Sequence, residues 1–124
     1  MKALIVLLLS FVPLISNAED FCSSVSAKAD IERAIIPSSD SGYKVSGKGR
    51  AYFYLAPNEK CAIKNLFIIP GDLVNGYADY NNFTYIMYFT KDGKDVEGWM
   101  KSNRLAPTGT GIGPSEKKLK QHSD

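Results

Sequence analysis

The chain has 124 residues, of which 15 are basic, 13 acidic and one a histidine. So even a balance gives no reason to expect the basic face with which nucleic-acid proteins neutralise phosphates, and no nucleic-acid partner is expected. The lone histidine, His122, stands near the C-terminal end of the sequence, which removes most histidine-dependent catalysis and any histidine-rich metal site.

Met1-Lys2 supplies a short positive start, and Ala3 to Ile15 is an almost unbroken apolar run. Ser16-Asn17-Ala18 then places small residues where a signal peptidase reads, so residues 1–18 are expected to be a secretory signal peptide. The run is shorter than the roughly 20 residues a helix needs to span a bilayer, so no permanent membrane anchor is expected. Glu19-Asp20-Phe21 before Cys22 is unlike the small-residue box that lipid attachment requires. The expected product is a periplasmic or secreted bacterial protein of one small domain.

Cys22 and Cys61 are the only cysteines. An oxidising compartment allows them one intramolecular pairing. Neither has a Cys-x-x-Cys spacing or a histidine partner that would mark a redox or metal thiol. The expected disulfide closes about 40 residues and stabilises by roughly 3–4 kcal/mol in the chain-entropy model.

Residues 19–47 form a polar, weakly patterned N-terminal extension. Ala27 to Ile36 can make two helical turns with Ile31 and Ile35 on one side, until Pro37-Ser38-Ser39-Asp40 breaks them. From Tyr43 to Leu105, short runs rich in Tyr, Phe, Ile and Val alternate with Gly, Asn, Asp and Pro, the pattern of short antiparallel strands. Strands are expected at Arg50–Leu55, Leu66–Ile69, Asp72–Tyr80, Thr84–Thr90 and Glu97–Lys101. Asn81-Asn82 and Lys91-Asp92-Gly93-Lys94 are the hairpin turns between them. In Asp72–Tyr80, Val74, Gly76 and Ala78 should face one way and Leu73, Asn75, Tyr77 and Asp79 the other. Residues 107–124 turn to Gly, Thr, Pro, Ser and Lys, a composition expected of a disordered tail.

Five strands in this span point to an all-β fold, a small barrel that closes its own edges. Ala51-Tyr52-Phe53-Tyr54 runs into Ala56-Pro57, and Gly71-Asp72-Leu73-Val74 supplies a G-x-x-V step. Asn81-Asn82-Phe83 gives a turn followed by an aromatic, and Gly98-Trp99-Met100 with Leu105 closes the series. This order resembles the bacterial SH3-like domain over Lys48 to Leu105, with the barrel placed at residues 48–106. The chain departs from that pattern in two places. The loop between Pro57 and Phe67 carries Cys61 and extra charge, and Phe83 stands where Trp is usual.

Gly42 to Gly49 has part of a phosphate-loop frame, but no Ser/Thr follows Lys48 and the next element is a strand, not a helix. Asp92, Asp95 and Glu97 surround a hairpin interleaved with Lys91 and Lys94, a solvated tip in preference to a calcium loop. Asn82-Phe83-Thr84 fits the glycosylation rule inside a turn that wants Asn anyway. Gly109 to Gly113 is linker. No catalytic residues, cofactor or metal are expected, and the chain is expected not to be an enzyme.

Twelve of the 14 aromatic residues lie between Tyr43 and Trp99, more than a small barrel can enclose. Tyr52, Tyr54, Tyr80, Phe83, Tyr85 and Trp99 are expected on an exposed face or its rim, where rings offer area and hydrogen-bonding tips. Tyr54, Tyr80, Phe83, Tyr85 and Trp99 are the candidate ligand-binding residues. The alternative is that half of the rings pack beneath the N-terminal segment and the disulfide loop. Because SH3-like domains often accompany cell-wall hydrolases, the resemblance implies peptidoglycan, or a peptide or protein of the envelope, as partner. A second class is a periplasmic inhibitor or immunity protein that binds a wall-degrading enzyme. A third is a structural subunit of an envelope assembly.

Overall fold

A computed structural model describes residues 17–111. Residues 1–16 of the expected signal peptide and 112–124 of the expected tail lie outside it. Asn17–Glu32 forms a helix, α1, with Glu19 and Asp20 in its first turn, where negative charge complements the helix dipole. Its inward side is narrow and small: Cys22 and Ala29 are buried, and Val25 and Ser26 half-buried. These positions follow the i, i+3, i+4, i+7 spacing of one helical face. The helix expected over 27–36 therefore starts earlier and turns differently. Ile31 is 84% exposed, because the helix approaches the sheet along its small residues and leaves this bulky one outside; Ile35 lies beyond the helix, in a two-residue strand, and is 67% exposed. Among the described residues, no helix is long and apolar enough to cross a membrane.

After α1 the chain is mostly β. Ala34–Ile35 is β1, Gly42–Val45 β2, Ala51–Tyr54 β3 and Ala62–Ile68 β4. Leu73–Tyr80 is β5, Phe83–Phe89 β6, Asp95–Lys101 β7 and Leu105–Pro107 β8. One-turn 3-10 helices occupy Glu59–Cys61 before β4 and Ser102–Arg104 before β8. The five expected strands correspond to β3 to β7, and three more join them. β1, β2 and β8 are two to four residues long, too short to show an alternating pattern. They exist because the free backbone of β5 accepts β1 and β2, and β2 in turn accepts β8.

All eight strands form one antiparallel sheet in the order β4-β3-β7-β6-β5-β2-β8, with β1 also on β5. The sheet curls into a half-barrel. β4 and β8 end the path without pairing to each other, so the expected closed edge is corrected to an open one. Inside the curl, Val45, Ala51, Phe53, Ile68, Val74, Ile86, Met100 and Leu105 form the main core. Gly76 is required there, because a Cβ would lie 2.7 Å from the Tyr43 ring. The pairing steps from Gly76↔Ile86 to Ala78↔Tyr85, so β5 carries one extra residue, a bulge at Tyr77 that reverses the facing of the rest of the strand. Ala78 thus lies opposite Tyr85 on the outer face, not beside Val74 and Gly76 as strict alternation required.

Candidate functional site

The aromatic residues divide between the two faces of the sheet. On the outer face Tyr54 stands opposite Trp99, and Trp99 opposite Tyr85. Tyr54 meets Phe83 edge-on with centroids 4.9 Å apart, and Tyr85 meets Trp99 in the same way at 5.3 Å. Ala29 of α1, fully buried, packs into this cluster. The helix therefore covers much of this face, in keeping with the alternative that half of the rings pack beneath the N-terminal segment. Trp99, Phe83 and Tyr54 are only 2%, 5% and 8% exposed, which corrects their placement on an exposed face. Tyr52, Tyr80 and Tyr85 are half-buried at the margin of the cluster.

Two of these marginal tyrosines have carboxylate partners. Tyr85 donates its hydroxyl to Glu97 at 2.8 Å. Burial and this bond together push its pKa up to about 12. Tyr80 donates to Glu32 near the end of α1 at 3.1 Å, and that bond raises its pKa. Glu97 and Asp92 of the expected hairpin cluster are engaged with Tyr85 and Thr90 respectively.

The disulfide fastens the other end of α1. Cys22 and Cys61 are bonded with Cα atoms 5.8 Å apart, as expected. Both are buried with Ala56. Cys61 ends a loop that is knit locally: the Asn58 side chain accepts from the Lys60 amide, and the Leu55 amide donates to the Cys61 carbonyl. Glu59 on this loop pairs with Lys101 of β7 at 2.9 Å, and that hydrogen bond raises the lysine pKa.

Between this loop, the β5–β6 turn and the 3-10 turn after β7 lies an open cleft of about 690 Å³. Its walls carry Asn58, Asn81, Asn82 and Asn103, with Ser102, Phe83 and the Glu59–Lys101 ion pair. The turn has φ of 55° at Asn81 and 69° at Asn82, the left-handed pair that a two-residue hairpin demands and that Asn tolerates. Asn81 donates to the Pro57 carbonyl at 3.1 Å, and the Ser102 amide donates to the Asn82 carbonyl at 2.9 Å. The three loops are therefore bonded to one another. Asn81, Asn82 and Ser102 also border a second cleft of about 450 Å³, shared with Tyr43, Tyr80 and Asp79. Burial, then the carboxylates of Asp79 and Asp40, raise the Tyr43 pKa. Of the five candidate binding residues, Phe83 borders the first cleft and Tyr80 the second; Tyr54, Tyr85 and Trp99 border neither.

Sequence reasoning took Asn81 and Asn82 as turn formers, with Asn82 also fitting the glycosylation rule, and assigned no binding role to the Asn58 or Asn103 side chain. Their recurrence in separate loops was the available signal. It also passed over Arg104, whose guanidinium donates to the carbonyls of Ser46, Gly49 and Arg50 at 2.7–2.8 Å. The glycine-rich loop thus turns carbonyls onto a cation, where a phosphate cradle would turn N–H groups onto an anion. No family model, curated protein or solved structure matches the chain.

Proposed function

We propose that this chain is an exported, non-enzymatic binding module of SH3-like architecture that holds a polar chain, peptidoglycan first among the candidates, in its asparagine-lined cleft. The cleft carries the proposal: four carboxamides, one hydroxyl, one ring edge and a mutually paired Glu59 and Lys101 converge there, on three loops bonded to one another. A carboxamide both donates and accepts, which suits the amides and hydroxyls of a peptide or glycan. The even charge of the chain favours recognition through such contacts over electrostatic steering. The strand order supports the architecture. A first strand lies between β5 and β8, a three-strand meander β5-β6-β7 comes next, and a 3-10 turn leads into the last strand. The Cys22–Cys61 bond supports passage through an oxidising compartment.

The test is sedimentation of the purified protein with isolated sacculi. Binding is expected to fall at least tenfold in Asn82→Gly/Asn103→Ala, with the thermal midpoint little changed, since glycine accepts the positive φ at 82 and neither side chain bonds to another element. Failure of the unmodified protein to sediment would exclude a wall ligand. Capture of a hydrolase from periplasmic extract instead would place the chain among enzyme inhibitors.

A further inference from the structure

Thr84 is 2% exposed and lies between two polar neighbours at the second cleft. Its Oγ1 is 2.7 Å from Asp79 Oδ1 and 2.8 Å from Ser102 Oγ. A carboxylate can only accept, and a hydroxyl has one proton to give. The Thr84 proton therefore goes to Asp79, and the short contact with Ser102 is made by the serine proton. The direction of the chain is set throughout: Ser102 donates to Thr84, and Thr84 donates to Asp79. Successive bonds polarise one another in such a run, most strongly where water is excluded.

For Ser102 the result is that its proton points to Thr84, which leaves its remaining lone pairs to accept. Among the described residues none donates to Ser102 Oγ, which borders both clefts. We infer that Ser102 is an acceptor-only subsite of the asparagine-lined cleft, selecting a ligand that sets an N–H or O–H group against it. This rests on the cleft being the binding site. Asn82 and Asn103 can turn either end of the carboxamide to a ligand and so accept both polarities. The polarity of Ser102 is imposed by Asp79, an exposed carboxylate at the second cleft, through a buried threonine. An ester, ether or carboxylate oxygen placed there meets lone pairs with lone pairs; an amide N–H, an amine or a sugar hydroxyl does not.

The experiment uses the whole 15N-labelled chain and two neutral probes at equal concentration, acetamide and N,N-dimethylacetamide. The first has N–H donors, the second only an acceptor. Acetamide is expected to shift the Ser102 amide resonance with saturation, and dimethylacetamide to leave it in place. Ser102→Ala should abolish the acetamide response. Thr84→Val releases the serine proton to rotate outward and should create a response to dimethylacetamide. Equal responses to the two probes, an unchanged acetamide response in Ser102→Ala, or no response to either probe would overturn the subsite. The sacculus experiment does not depend on these probes, so loss of the wall ligand and loss of the subsite are read separately.

Discussion

The carboxamide of Asn81 reaches 3.1 Å to the carbonyl of Pro57, joining residues 24 positions apart. The hairpin turn and the disulfide loop are thereby fixed to each other across the larger cleft. Asn81 also sits at a φ of 55°. Asn81→Gly removes only the bond and should cost about 1 kcal/mol. Asn81→Ala adds the left-handed strain and should cost about 1 kcal/mol more. Urea unfolding of the pair checks the order; equal losses would show that the backbone angle contributes nothing.

The disulfide joins α1 to the loop that walls the cleft. Cys22→Ala/Cys61→Ala should lose roughly 3–4 kcal/mol in the chain-entropy model. Thiol titration of unreduced protein should find no free cysteine. Two reactive thiols per chain would contradict the bond.

Ala29 has no room to grow. It is fully buried in the ring cluster, so Ala29→Leu should destabilise by about 1–3 kcal/mol through overpacking. Trp99, 2% exposed, should then become more accessible to acrylamide. Ala27→Leu, at an exposed position of the same helix, is the control and should be near neutral. A neutral Ala29→Leu would mean that α1 rests loosely on the face.

Tyr85 provides a pH signature. Its folded pKa, about 12, lies above the ordinary tyrosine value of 10.0. Folding thus favours the protonated phenol. The stabilisation is fully present below pH 10, and it is lost as pH rises through the folded pKa. Ultraviolet titration should show one tyrosine ionising near the top of this window, and Glu97→Gln should bring it down. An unchanged titration in that variant would remove Glu97 as a cause of the shift.

The C-terminal strand extends past the point where composition becomes linker-like. Tyr43 pairs with Pro107, the Thr108 amide donates to Gly42, and the Gly42 amide donates to Thr110. A chain ending at Gly111 keeps all these bonds, whereas one ending at Ala106 loses them. The shorter chain should melt several degrees lower. Identical midpoints would show that this pairing adds no stability.

Sequence alone determined the middle of the sheet, both hairpin turns and the disulfide. Each rests on local chemistry: runs of β-branched and aromatic residues, Asn and Gly where φ is positive, and one possible pairing of two cysteines. Tertiary structure decided the rest. The short strands β1, β2 and β8 depend on partners far away in the chain, and nothing in Gly42-Tyr43-Lys44-Val45 announces a strand bonded on both edges. The extra residue at Tyr77 is invisible to an alternating pattern, yet it moves Ala78 to the other face. Trp99, Tyr54 and Phe83 read as exposed because ring count exceeded the volume of one core. The exposed reading assumed a bare outer face; its alternative, rings packed beneath the N-terminal segment, is what a helix with small residues on its inner side produces, making a second core. The cleft came from neither ring count nor motif. Asparagines scattered over 46 positions, from Asn58 to Asn103, become a site only where three loops are brought together, and spacing along the chain carries no record of that distance.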